Sequence, residues 1–157
     1  MKHVVSIALR VVVIAAAAAA VITLADLGMS EAEAGANIGA GLLAFAAIMA
    51  ITLVWSFVDG RRAPRTGISA AAGERDAAGA PAPRQASLTA RVLWWAVVAV
   101  LLAALAPLQA QGFTPPFDAT FLASDAVNLA PFHLGLVGIP AALGLALGAL
   151  TRRRPRA

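Results

Sequence analysis

Four apolar stretches, Val4–Ala25, Ala36–Val58, Val92–Leu108 and Leu129–Leu150, take up more than half of this 157-residue chain. Crossing a hydrocarbon core of roughly 30 Å takes about 20 helical residues at about 1.5 Å each. All four therefore read as transmembrane helices. The charge-free part of the first, Val11–Ala25, reaches only about 22 Å, so that helix must run on past Arg10 or Asp26. Arg10 can meet this by turning its guanidinium back to the interface. No stretch alternates with period two as a barrel strand would, and an unpaired backbone cannot cross lipid. The expected fold is all-α.

Composition supports the same reading. Hydrophobic residues make up 61% of the chain, charged residues 13%, and the mean hydropathy is +0.83. Soluble domains run near 45–50% apolar and 25% charged, so a soluble globular enzyme and a disordered chain are excluded. The sequence contains no cysteine, which excludes disulfides, thiolate metal sites and thiol nucleophiles.

The twelve basic residues set the orientation. Lys2 and Arg10 lie near the start. Arg61, Arg62, Arg65, Arg75, Arg84 and Arg91 lie between the second and third stretches, and Arg152, Arg153, Arg154 and Arg156 follow the fourth. The two remaining connections carry Asp26, Glu31, Glu33, Asp118 and Asp125 instead. With four crossings, every basic segment falls on one side, and the positive-inside rule makes that side cytoplasmic, with both termini there. Trp55, Trp94 and Trp95 sit at that edge, where an interfacial aromatic belt belongs. A cleaved leader is the competing reading of the first stretch. Its A-x-A pattern, Ala32–Ala34, lies too far beyond the apolar run for that. The high alanine content, with eleven Arg to one Lys, fits a GC-rich coding sequence and hence a bacterial plasma membrane.

These features divide the chain into a first transmembrane hairpin (1–59), a basic cytoplasmic linker (60–90), a second hairpin (91–150) with an external loop at 109–128, and a basic tail (151–157). Gly28 is placed to end the first helix in a left-handed turn. Ser30 and Glu33 have capping-box spacing. The linker is rich in Ala, Gly, Pro and Arg without apolar periodicity. Within the external segment Gln111–Asn128, Phe113, Phe117 and Phe121 recur every four residues and Pro115 and Pro116 precede most of that run, a pattern that predicts a short helix lying flat at the outer membrane surface.

Candidate functional residues are few. Gly35 and Gly39 open the second helix, while Gly138, Gly144 and Gly148 line the fourth, at spacings that let helix backbones approach closely. Asp26, Asn37, Asp125, Asn128 and His133 fall near the outer edge, as does Gln109, and are candidates for a polar cluster. Arg10 and Asp59 share a depth on adjacent helices near the inner edge and could pair. His3 and His133 stand on opposite faces, on the order of 25 Å apart, too far to share one haem iron. No carboxylate falls near the midplane of any helix, where a coupling residue of a transporter belongs. No metal-ligand, phosphate-loop or nucleophile motif is present. The sequence therefore points to a non-catalytic membrane protein without cofactor or metal, working through helix contacts as an assembly or accessory subunit. An oligomeric transporter or channel is the alternative. The expected partners are the bilayer, anionic lipids at the basic face, and another membrane protein or a second copy. Nucleic acid is not among them.

Overall fold

A computed structural model describes residues 2–30, 33, 37–63, 87–110 and 115–151. It contains four long helices: α1, Lys2–Ala25; α2, Ile38–Arg62; α3, Leu88–Ala110; and α4, Ala119–Leu150. Each is long and apolar enough to span a membrane. Gly35 and most of the 60–90 linker lie outside the described residues, as does the tail beyond Thr151.

Local chemistry accounts for the helix ends. Gly28 takes φ +84° after α1, a conformation that costs glycine nothing and most residues something. Ser30 and Glu33 bond reciprocally. The Ser30 amide donates to Glu33 Oε2 at 2.9 Å, and the Glu33 amide donates to Ser30 Oγ at 3.4 Å. The Ser30 hydroxyl also donates to Glu33 Oε2, at 2.7 Å, and this bond first and that of the Ser30 amide second favour the ionised carboxylate and hold it below its ordinary pKa. Asn37 caps α2 by accepting from the Ala40 amide at 3.1 Å, leaving its Nδ2 to donate to Asp26 Oδ1 at 2.8 Å. Ser87 caps α3 by accepting from the Ala90 amide at 3.2 Å.

α4 differs from expectation. From Ala119 on, the segment expected as a separate surface helix forms the first turns of one continuous helix, and Phe113 lies outside the described residues. Asp118 is its N-cap, accepting from the Thr120 and Phe121 amides at 2.8 and 3.2 Å. The helix runs for 32 residues through Pro131 and Pro140, about 48 Å, well beyond the hydrocarbon thickness. Phe117 and Phe121 are exposed on it or just before it.

The helices form a four-cornered bundle. α2 packs most extensively on α4, and α4 packs on α3. α1 packs on α2 and α3. Among the described residues α1 and α4 do not meet, and α2 and α3 touch only sparsely across the diagonal. The largest interface thus joins the two halves of the chain.

Burial follows a four-residue rhythm, as one face of each helix must. On α2 the buried positions are Ala40, Ala44, Ile48, Thr52, Ser56 and Gly60, with Asp59 beside the last. On α1 they are Arg10, Ile14 and Ala18. The core joins Ile14, Ile48, Trp95, Val98, Leu102 and Val137. Outward positions carry Leu42, Leu43, Val54, Val100, Leu143 and other large apolar residues. Exposed apolar surface this continuous is expected where lipid is the solvent.

The glycines divide into two groups. Gly144 and Gly148 are buried against α2. Gly39 is exposed, and a Cβ there would meet only Asn37 Oδ1, at 3.2 Å; at Gly138 a Cβ would meet nothing within 4 Å. The packing stripe at the start of α2 is the neighbouring Ala40–Ala44 face. Gly39→Leu is accordingly expected to leave the thermal stability of the detergent-solubilised protein within about 0.5 kcal/mol of wild type, as surface changes do. A large loss would put another helix against that face.

A candidate functional site at the basic end of the bundle

Arg10, Asp59 and Arg91 come from three helices, and each is buried at 4%, 5% and 9% exposure. Position explains why they meet. Arg10 lies about 12 Å along α1 from its start, while Asp59 is one turn from the end of α2 and Arg91 one turn into α3. Arg10 Nη2 donates to Asp59 Oδ2 at 2.6 Å, and Arg91 Nη1 donates to Oδ1 at 3.1 Å. Trp95, one turn beyond Arg91, donates its indole N–H to Oδ2 at 3.1 Å. One carboxylate thus accepts from three donors on two helices.

The outer hydrogen bonds are local. Arg10 Nη1 donates to the Ser6 carbonyl at 3.0 Å and to Ser6 Oγ, one turn back on the same face. Arg91 Nη2 donates to the Arg62 carbonyl at 3.4 Å, satisfying an oxygen that the end of α2 leaves over. The Arg10 guanidinium carbon lies 5.4 Å from the ring centroids of both Trp55 and Trp95, within cation–π range. Its Nε is buried without a hydrogen-bond partner among the described residues.

Desolvating ions costs several kcal/mol each unless geometry and further bonds offset it. Here bidentate capture of Asp59, the indole bond and the two aromatic faces supply that offset. The arrangement can hold α1, α2 and α3 in one register. The Asp59 carboxylate accepts from two guanidiniums and one indole N–H.

Sequence spacing placed Arg10 and Asp59 at one depth but left Arg91, Trp95 and Ser6 out of the group. Arg91 reads as one more linker charge unless α3 is started a turn earlier. The i, i+4 spacing of Arg91 and Trp95 was the available signal.

The outer end is less connected. Asp26 and Asn37 join α1 to the start of α2. Asn128 donates to Ser124 at 3.4 Å, and His133 Nδ1 lies 2.9 Å from the Leu129 carbonyl, so both bond within α4. Asp125 is half-buried and Gln109 exposed. His3 stacks on Trp94 with centroids 4.6 Å apart. Among the described residues no three His, Asp or Glu side chains gather as metal ligands would.

At mid-depth, Ser56 Oγ donates toward the carbonyls of Leu53 and Pro140, at 3.1 and 3.3 Å. Thr52 Oγ1 is fully buried with no hydrogen-bond partner among the described residues. Both hydroxyls face helix neighbours. The groove between α3 and α4 is lined by apolar residues alone. Comparison of the chain with family models, curated proteins and solved structures returns no match.

Proposed function

We propose that this chain is a non-catalytic multi-pass protein of a bacterial plasma membrane, a small assembly or accessory subunit that acts through helix–helix contacts. Its basic end and both termini face the cytoplasm, and its four crossings form two hairpins. One observation carries the reading: the deepest charged groups, Arg10, Asp59 and Arg91, are spent on one another and on neighbouring helices. A transporter needs ionisable or polar groups around a path. Asn37, Thr52, Ser56, Gln109 and Asn128 instead divide between the bundle interior and its exposed ends.

Orientation and role are tested separately. The cysteine-free background allows single introductions at Ser87 and Thr120. In intact cells an impermeant maleimide should label Thr120→Cys, and Ser87→Cys should label only after lysis. The reverse pattern would invert the map. For the role, the tagged protein should leave native membranes in mild detergent with another membrane protein at fixed stoichiometry. Recovery as a homo-oligomer alone would replace this reading with that of an oligomeric transporter or channel.

A further inference from the structure

We propose that a water molecule is bound between α2 and α4, inside the bundle, bridging the Thr52 hydroxyl to the backbone carbonyl of Leu136. Two hydrogen-bonding groups with unmet capacity carry the inference. Thr52 is fully buried, and its Oγ1 has no hydrogen-bond partner among the described residues. Pro140 lies inside α4 and has no N–H. The carbonyl four residues before it, that of Leu136, therefore lacks the donor a regular helix supplies. Leu136 and Pro140 are both buried. Polar groups that a proline frees in a membrane helix are satisfied by neighbouring helices, by Ser and Thr side chains and by ordered water.

Helix register brings the two groups to one level. α2 and α4 run in the same direction. Phe45 meets Phe132, Ser56 meets Pro140, and Gly60 meets Gly148. Thr52 lies one turn before Ser56 on the same buried stripe of α2, and Leu136 lies one turn before Pro140. Ser56 Oγ donates to the Pro140 carbonyl. The same step, one turn earlier on both helices, turns Thr52 Oγ1 towards the Leu136 carbonyl.

The separation of the helices favours a water over a direct bond. At the inner end the backbones touch, and a Cβ on Gly60 would lie 3.1 Å from the Gly148 Cα. Near the outer end two phenylalanine rings make the contact, with centroids 5.0 Å apart. The helices thus part between these points. Ser56 still reaches across, at 3.3 Å, already longer than an ordinary O–H···O bond. One turn further out, the Thr52 hydroxyl makes no bond across. A water at about 2.8 Å from each group spans that gap. It accepts from the Thr52 hydroxyl and donates to the Leu136 carbonyl, and two partners are enough to hold a buried water. Such a bridge lets α4 keep Pro140 in its interior and ties it to α2 beyond the glycine contacts.

The inference depends neither on the accessory role nor on the orientation in the membrane. The test uses the full chain in mild detergent and begins with wild type. With threonine methyl groups labelled in perdeuterated micelles, the Thr52 methyl should show a nuclear Overhauser contact to a long-lived water. Thr52→Val keeps the shape and removes the hydroxyl. It should raise the unfolding equilibrium constant, read by SDS titration in mixed micelles, about tenfold, because the Leu136 carbonyl is stranded. Pro140→Ala returns an N–H to that carbonyl, so Thr52→Val made in its background should cost about threefold at most. A Thr52→Val protein at least as stable as wild type would mean a hydroxyl buried without any partner, and overturns the proposal. An equal cost in both backgrounds also overturns it, being the mark of a hydroxyl bonded within its own helix. So does the absence of a water contact at the Thr52 methyl of the folded wild-type protein, however the variants fold.

Discussion

Asp59→Ala should lower the stability of the folded protein in mild detergent by about 3–5 kcal/mol, the cost of leaving a buried charge without its counter-ion. The substitution strands two guanidiniums. Arg10 Nη2 and Arg91 Nη1 lose their acceptor together, and the Trp95 indole loses its own. Arg10 stands about 12 Å along α1 between two indole rings, so returning it to water means moving the helix or opening the bundle. Asp59→Asn keeps acceptor and shape but loses the charge, and should fall between wild type and Asp59→Ala. The combined change Arg10→Met, Asp59→Leu and Arg91→Met, which removes every charge of the cluster, should recover much of the loss, because well-packed apolar replacements of whole buried ion clusters are often neutral or stabilising. Reversible unfolding in mixed micelles by added SDS reads all three. An Asp59→Ala protein that unfolds at the wild-type SDS fraction would show that the cluster does not hold the three helices together.

The number and placement of the helices were legible because hydropathy over about 20 residues is a coarse and forceful signal. The helix ends were less so. α2 runs through Asp59 to Arg62, and α3 begins before Arg91. Hydropathy stops at a charge, whereas a helix continues where the charge finds partners inside the bundle. The same effect hid the third member of the cluster. Arg91 looked like linker charge because its acceptor lies on another helix.

Helix phase was the other gap. In the second apolar stretch the pattern Gly35-x-x-x-Gly39 runs beside Ala36-x-x-x-Ala40, and by sequence either stripe could face a neighbour. The structure turns Ala40 and Ala44 inward and Gly39 outward. Gly60, which the sequence reading passed over, is buried at the end of α2 against α4. In an alanine-rich helix, small residues at every fourth position occur on several faces, and only packing decides which is used. Within α4, falling hydropathy at Ser124–Asn128 suggested a break. A backbone near lipid still has to pair its polar groups, and continuing the helix from the Asp118 cap does so.

Gly144→Ala and Gly138→Ala should move stability in opposite directions, although both add one methyl group to the same helix. A glycine in a helix interior is intrinsically about 1 kcal/mol worse than alanine. At Gly138 a Cβ would meet nothing within 4 Å, so the propensity gain stands and the variant should match or exceed wild type. At Gly144 the methyl would collide with Ser56 Oγ and lie 2.5 Å from the Leu53 carbonyl oxygen and 2.9 Å from the Phe57 nitrogen. Ser56 could rotate, but the backbone of α2 cannot yield without the helices separating. The crossing continues at Gly60 and Gly148, where a Cβ on Gly60 would lie 2.5 Å from the Leu145 carbonyl oxygen and 3.1 Å from the Gly148 Cα. Separation at one point would therefore loosen contact along the largest interface of the bundle. Overpacking of this kind costs roughly 1–3 kcal/mol, enough to reverse the propensity gain. Gly144→Leu should exceed that range, because its side chain cannot be placed without parting α2 from α4. The SDS titration that reads the Asp59 series reads these variants too. If Gly144→Ala is as stable as Gly138→Ala, α2 and α4 do not cross in backbone contact, and the bundle must be held together elsewhere.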